Sequence, residues 1–233
     1  MNQSSCFQNN LVDLSNAPWT MHEFFAGSGL VAYGLKGMFK PIWANDISEQ
    51  KAAVYKENFG DGYFKLDDIK NINGKNLPDW IWWYTEKPAR RKMTLKDVVE
   101  EQTQFDKDEA LRLVPPRHQQ KLDMLDTVYA TGYRRTRNGK QQLELRFDGI
   151  AGCLRTPEGG SSKQYLVVKK DGTAHARLLT VRETARLMGA PDSFKLPGSQ
   201  NDGYKAMGDA VAKPVAEFLG KRFLAKIAEA VYQ

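Results

Sequence analysis

The stretch Met21-His22-Glu23-Phe24-Phe25-Ala26-Gly27-Ser28-Gly29-Leu30 decides how this chain is read. The apolar run entering Gly27 has the character of a buried strand. Two glycines flanking one small residue let the backbone turn sharply and approach a ligand with no side chain in the way. Ala44-Asn45-Asp46 and Asp67-Asp68-Ile69 lie downstream, each closing a further strand-like run. Asp46 stands at the offset, about 20 residues on, where a carboxylate grips a ribose diol from the next strand end. Three successive strand ends thus converge on one adenosine-type ligand. Taken singly, glycines after a strand also make ordinary turns, and an isolated Asp there also caps helices; three in succession favour the ligand.

Outward from that stretch, the pattern predicts a strand over 19–25, a short helix over 30–38, a strand over 41–44 and a helix over 48–58. Ser48 caps this last helix, with Ala52, Val54, Tyr55 and Phe59 on its apolar face. Phe64 and Leu66 lead to a third strand end at Asp68. Such alternation is the opening half of a doubly wound α/β domain. Beyond Pro78 it stops. Asp79-Trp80-Ile81-Trp82-Trp83-Tyr84 gives way to charged, helix-prone sequence, with helices expected over 94–104 and 118–129. Residues 130–178 read as irregular and β-rich, punctuated by glycines. Thr180-Val181-Arg182-Glu183 is a capping box opening a helix to 188, which Gly189 and Pro191 end. A long helix is expected from soon after Gly208 to about 231, with Phe218, Phe223 and Ile227 as core contacts.

Composition sets the frame: 233 residues, 41% hydrophobic and 27% charged, suit one large domain or a domain with a smaller lobe. No apolar run reaches the roughly 20 residues of a membrane span, and residues 1–18 form a polar leader without a secretion pattern. A cytoplasmic location, with no membrane partner, is the expectation. Cys6 and Cys153 have neither disulfide-framework nor metal-ligand spacing, so no metal is expected. The net charge of +6 is compatible with a polyanionic partner. Arg134, Arg135, Arg137, Lys140 and Arg146 locate that charge, whether as a nucleic-acid surface or as a solvated positive face.

At both ends the chain resembles the DNA (cytosine-5)-methyltransferases. Phe24-Phe25-Ala26-Gly27-Ser28-Gly29 is similar to that family's first motif, with Glu23 where Asp is more usual. Asn45-Asp46-Ile47 followed by Ala53-Val54-Tyr55-Lys56-Glu57-Asn58-Phe59 resembles its second, and Asp67-Asp68-Ile69 its third. Arg177-Leu178-Leu179-Thr180-Val181-Arg182-Glu183 with Pro191-Asp192-Ser193-Phe194 resembles the penultimate motif. Tyr204-Lys205-Ala206-Met207-Gly208-Asp209-Ala210-Val211 resembles the last, with Asp209 where Asn is commoner.

The resemblance implies a Rossmann-like methyltransferase domain that binds S-adenosylmethionine. Phe25, Ala26, Gly27 and Gly29 would line the cofactor, Asp46 accept its ribose hydroxyls, Ile47 touch the adenine face, and Asp68 with Ile69 meet the adenine amino edge. Asp209 and Ala210 would close over the methionine part from the start of the last helix. A nicotinamide-binding reading is the rival, since Ala32 is tolerated where the third glycine of that fingerprint falls; the carboxyl-terminal motifs favour the methyl donor. The sequence from Leu145 to Ser162 resembles part of the target-recognition region. There Arg155, Ser161 and Ser162 would approach double-stranded DNA. The implied division is a leader over 1–18, a cofactor-binding domain over 19–78 and 179–233, and a target-recognition region over 79–178.

One part of the family pattern is missing. Methylating carbon 5 of cytosine requires a nucleophile at carbon 6, an acid at N3 and a base flipped from the duplex. The family's Pro-Cys nucleophile and Glu-Asn-Val acid do not occur here, nor does its Gln-x-Arg-x-Arg stretch, and neither Cys6 nor Cys153 stands in the right context. The sequence beyond Pro78 resembles sequence that in the family comes after the catalytic half. Three explanations stand: a join across residues present in the molecule, an internal deletion, or one part of an enzyme completed by another chain. The chain alone is expected not to catalyse. The alternative is a non-catalytic DNA-binding or partner-binding module that keeps the methyltransferase shape.

Overall fold

Trp19–Glu23 (β1), Phe39–Asp46 (β2) and Phe64–Leu66 (β3) form a parallel sheet in the order β1-β2-β3. Parallel neighbours need crossover connections, here the helices Leu30–Leu35 (α1) and Glu49–Phe59 (α2). Glu23 pairs with Ala44 and Asp46 with Leu66, so the strands finish side by side. The computed structural model describes residues 11–71, 86–100, 109–157 and 162–231. It divides into two compact units: Met1–Pro88, Asp192–Pro197 and Ala210–Gln233 make the first, Ala89–Pro191 and Gly198–Asp209 the second.

In the first unit, Ser48 starts α2 by accepting the Lys51 N–H on its side chain. The helix buries Tyr55 and Phe59 together, with Tyr55 also stacked near Phe64 at a centroid distance of 4.8 Å. Lys213–Leu219 (α6) and Ala225–Val231 (α7) are joined without a break by a π-helical turn, Gly220–Leu224. A Cβ at Gly34 would lie 2.8 Å from Ala216 Cβ and from the Lys213 carbonyl oxygen, so α1 and α6 touch backbone to backbone there. Leu35, Phe39 and Ala225 are the buried centre of this packing.

The second unit is an antiparallel sheet ordered β5-β4-β6-β7, built from Val128–Arg137 (β4), Lys140–Arg146 (β5), Gln164–Lys170 (β6) and Thr173–Leu178 (β7). Asn138-Gly139 and Asp171-Gly172 each take positive φ at both residues, as the two-residue hairpin turn requires. One side of the sheet carries Leu122 of the helix Pro116–Asp123 (α3) with Leu143, Val128 and Val167. A second cluster joins Leu95 and Val98 to Leu166 and Leu179. Val181–Leu187 (α4) and Gln200–Gly208 (α5) complete the unit. A Cβ at Gly203 would meet the Val181 side chain at 2.4 Å, so this glycine lets α5 lie against α4.

Thr180 caps α4 through a full capping box with Glu183. Glu183 also pairs with Arg177 through two bonds of 2.6 and 2.7 Å, with the two side chains 0% and 3% exposed. Glu183 further accepts the Glu100 N–H at 2.8 Å. Burial alone would raise the Glu183 carboxyl, yet the Arg177 guanidinium and the Glu100 and Thr180 N–H groups hold it below its ordinary value.

Several sequence expectations change. The helix expected over 118–129 ends at Asp123, and Val128 opens a strand, because β4 pairs on both edges with β5 and β6. Of the helix expected over 94–104, the described part, up to Glu100, shows one 3-10 turn, Leu95–Val98, after which the Glu100 N–H is held by Glu183; residues 101–104 lie outside the described residues. The sequence pattern gives no sign of α5, while the last helix begins at Lys213, soon after Gly208, and runs through to Val231 as expected. By contacts, helices α4 and α5 fall in the second unit rather than with residues 19–78, with which the sequence division grouped them. The Pro78 to Asp79 junction lies outside the described residues. Among those residues, no helix is long and apolar enough to cross a membrane.

Candidate cofactor site and recognition loop

Asp46 occupies the centre of the carboxyl edge of the parallel sheet. Its Oδ2 accepts the Gly27 N–H at 3.0 Å and its Oδ1 the Ser48 N–H at 2.9 Å, so one buried carboxylate ties the first glycine turn to the start of α2. Asn45 does the matching work toward the third strand, its amide donating to the Lys65 and Asp67 carbonyls at 3.1 and 2.8 Å. Backbone bonds from Ala26 N–H to Asn45 and from Asp67 N–H to Asp46 complete the stitching. The predicted residues of all three strand ends therefore belong to one hydrogen-bonded edge. Sequence reasoning weighs Asp46 as a ligand contact or a helix cap and gives Asn45 no task; an adjacent Asn-Asp pair at a strand end is the available signal.

The glycine loop has the backbone its composition demands. Gly27 has φ of +56° and Gly29 +87°. A Cβ on Gly29 would lie 2.4 Å from the Phe59 ring, whereas at Gly27 the nearest protein atom would be the Phe25 carbonyl oxygen at 3.9 Å. Gly29 is thus needed for packing, while Gly27 leaves open space over its backbone. Phe25, itself at a positive φ of 53°, is 70% exposed and Ile47 is 68% exposed. Large apolar side chains held out at such a rim are suited to cover the faces of a flat ring. Ser28 Oγ is buried and has no hydrogen-bond partner. Asp68 accepts the Lys70 N–H at 3.0 Å, which caps the 3-10 turn Ile69–Asn71.

A hollow of about 730 Å³ in the first unit is lined by other residues, among them Asp13, Tyr33, Lys36, Asn58 and Lys195. Lys36 follows α1 and Asn58 ends α2. Helices of a crossover run back against their strands, so these residues mark the amino edge of the sheet, opposite the glycine loop. The strand-end carboxylates Asp46, Asp67 and Asp68 stand at the other, carboxyl edge.

Asp209 and Ala210 are not at a helix start. Asp209 follows the last residue of α5, its N–H bonded to the Lys205 carbonyl, and it belongs to the second unit, whereas Ala210 belongs to the first. A helix carboxyl terminus offers carbonyls, so neither residue can present helix-start backbone donors to a carboxylate. What Asp209 does meet is the loop after β5, where the Thr156 hydroxyl donates to its Oδ1. A Cβ on the adjacent Gly208 would stand 2.5 to 2.6 Å from backbone atoms of Arg155 and Thr156, so α5 and this loop meet without side chains between them.

Arg155 is exposed and Ser162 half-buried, while Ser161 lies outside the described residues. The basic cluster is partly neutralised where it stands. Arg137 pairs with Glu144 and Arg146 with Asp148, each at 2.6 Å. Arg134 lies over the Tyr165 ring and Arg135 over that of Tyr133, both 5.0 Å from the centroid.

The family model for C-5 cytosine-specific DNA methylases matches residues 19–82 and 83–225. Its two stretches meet between Trp82 and Trp83, beyond the Pro78 at which the sequence alone ends the cofactor half. The DNA (cytosine-5)-methyltransferase CMT2 of Oryza sativa subsp. japonica is 51% identical over 47 residues, which is 20% of this chain and 4% of that protein. The type II methyltransferase M.HpaII of Haemophilus parainfluenzae is 27% identical over 158 residues, 60% of this chain and 40% of that one. The chain thus spans less than half of either relative. The Dnmt2 methyltransferase of S. pombe aligns in structure with a TM-score of 0.41 at 13% identity, over 91% of this chain and 99% of that one. With the family match running through most of its length, this chain belongs to the C-5 cytosine-specific DNA methylases.

Proposed function

We propose that the chain is the cofactor-binding and target-recognition portion of an enzyme moving a methyl group from S-adenosylmethionine to carbon 5 of a cytosine in double-stranded DNA. The observation that carries this is the Asp46 carboxylate joining the Gly27 turn to the second strand end, beside Asp67 and Asp68. The residues present suit the cofactor: the backbone is open at Gly27, a buried Ser28 hydroxyl awaits a partner, and two apolar side chains stand at the rim.

Bound there, S-adenosylmethionine supplies an electrophilic methyl group on a sulfonium. Phe25 and Ile47 would cover the adenine faces. Each carboxylate oxygen has two acceptor sites, so Asp46 can take ribose hydroxyls while keeping Gly27 and Ser48. Asp68 would accept from the adenine amino group, with Ile69 beside it. In the recognition unit, Arg155, Ser161 and Ser162 would contact DNA phosphates or base edges, since Arg takes guanine through two bonds.

Without a Pro-Cys nucleophile the chain alone should bind and not transfer; a complementing chain would supply it. Calorimetric titration with S-adenosylhomocysteine tests the reading. Binding that disappears in Asp46→Ala supports it; absence of binding by the native chain leaves the non-catalytic module. Methyl incorporation into DNA by this chain alone would contradict the predicted inactivity.

A further inference from the structure

Glu23 is a buried acid for which the proposed function has no use. It closes β1, directly before the glycine loop, and is 6% exposed. Its Oε1 accepts the Ala32 N–H of α1 at 3.3 Å and its Oε2 accepts the Tyr55 hydroxyl of α2 at 2.9 Å. Tyr55 in turn lies against Tyr63, from the turn before β3, whose hydroxyl donates its one hydrogen to the Phe59 carbonyl at 3.3 Å and can still accept one from Tyr55. Tyr55 and Tyr63 are the titratable groups facing Glu23, and among the described residues no cation acts on it. Residues 24–29 are consequently anchored at both ends by one carboxylate, at the strand they leave and at the helix they enter.

The two protonation states cannot make the same bonds. An ionised Glu23 only accepts, so Tyr55 must donate to it and the Ala32 N–H has a strong acceptor. A neutral Glu23 carries a proton that itself needs an acceptor. Tyr55 can provide one by turning its own hydrogen toward the Tyr63 oxygen, which reverses the Glu23–Tyr55 bond and leaves α1 held by a weaker oxygen. Burial pushes the Glu23 carboxyl up to about 7, against the pull of Tyr55 and Ala32, so both states are populated near neutrality.

We infer that Glu23 is a positioning residue for the cofactor loop. Its ionised form holds residues 24–29 in the arrangement that receives the methyl donor, and its protonation loosens them. The inference rests on the cofactor reading proposed for the carboxyl edge of the sheet.

The test is calorimetric titration of the full chain with S-adenosylhomocysteine between pH 5.5 and 8.5. Native affinity should rise about five- to tenfold from pH 6 to pH 8, with protons released on binding near pH 7, as buffers of different ionisation enthalpy report. Glu23→Gln should remove that rise and leave only the slope due to the ligand's own groups. Tyr55→Phe, which keeps the acid but takes away its hydroxyl donor, should move the midpoint to higher pH. It also carries the test should Glu23→Gln not fold. Binding by the native chain with the same profile as Glu23→Gln, or an unmoved midpoint in Tyr55→Phe, overturns this inference alone. No native binding at any pH overturns the cofactor reading and this inference with it.

Discussion

The Asp46 carboxylate accepts the Gly27 backbone N–H at 3.0 Å across 19 positions of sequence, which makes the end of the second strand a structural part of the first glycine turn. Asp46→Ala should therefore act twice. It leaves the half-buried Gly27 and Ser48 N–H groups without their acceptor, a cost of about 1 kcal/mol in urea denaturation. It should also lower the affinity for S-adenosylhomocysteine at least about tenfold, since turn and ribose contact are lost together. Unchanged affinity in a folded Asp46→Ala would remove the basis of the site.

Gly27 and Gly29 allow stability and binding to be separated. Both have positive φ, so alanine is strained at each, but only at Gly29 does the new Cβ meet the Phe59 ring, at 2.4 Å. Gly29→Ala should cost about 2 to 4 kcal/mol, the strain plus overpacking. Gly27→Ala should cost only about 1 kcal/mol, because nothing but its own loop is near. Its effect should fall instead on the cofactor, whose approach to the backbone the methyl blocks. Denaturation and calorimetry on the two variants, with Gly37→Ala as a control at φ of +83° with no neighbour within 4 Å, should show the losses dissociated.

What can be read without coordinates is whatever residues close in sequence determine. The Ser48 cap and the Thr180-Glu183 capping box are four-residue devices, and both helices begin where those residues stand. Leu122, Leu125, Val128 and Tyr129 carry a helical spacing as well, yet the last two join β4, because its two strand partners come from 140–146 and 164–170. Pairing at that distance outweighs local preference. α5 is illegible for a related reason: Gly203 argues against a helix locally and is required only by Val181 on α4. The strand-end carboxylates are legible as a pattern, but not that Asp46 would hold Gly27.

Arg177 and Glu183 form a bidentate pair almost wholly removed from water, with Glu183 also serving Thr180 and Glu100. Removing one partner strands the other charge. Arg177→Met should destabilise the second unit by about 3 to 5 kcal/mol, whereas Arg177→Met with Glu183→Gln should recover part of that loss. A double variant no more stable than the single one would show that the capping bonds, and not the stranded charge, set the cost.

Gly208 supports a prediction about DNA. Alanine there cannot fit between α5 and the Arg155-Thr156 peptide without moving one of them. Gly208→Ala should weaken duplex binding although it changes no charge. Arg155→Ala should weaken it and, if Arg155 meets a phosphate, reduce the salt slope by about 1. Fluorescence anisotropy with a labelled duplex across salt concentrations measures both. Equal affinity for native chain and both variants would detach this loop from DNA binding.

Glu23 and Glu183 should make stability depend on pH in opposite senses. Glu183 is held below its ordinary value, so its contribution is present above the unfolded pKa, about 4.3, and is lost as pH falls through the folded one. Glu23 is raised to about 7, so its contribution is complete below the unfolded pKa and is lost as pH climbs through 7, where the unfolded chain releases the proton more readily. The loss is on the order of 3 kcal/mol for a shift of this size. Glu23→Gln cannot ionise and escapes it. Urea denaturation without ligand should therefore show Glu23→Gln gaining on the native chain between pH 5 and pH 8, by an amount approaching that figure. The same difference at both pH values would mean that Glu23 is ionised throughout, and that the Tyr55 and Ala32 bonds outweigh its burial.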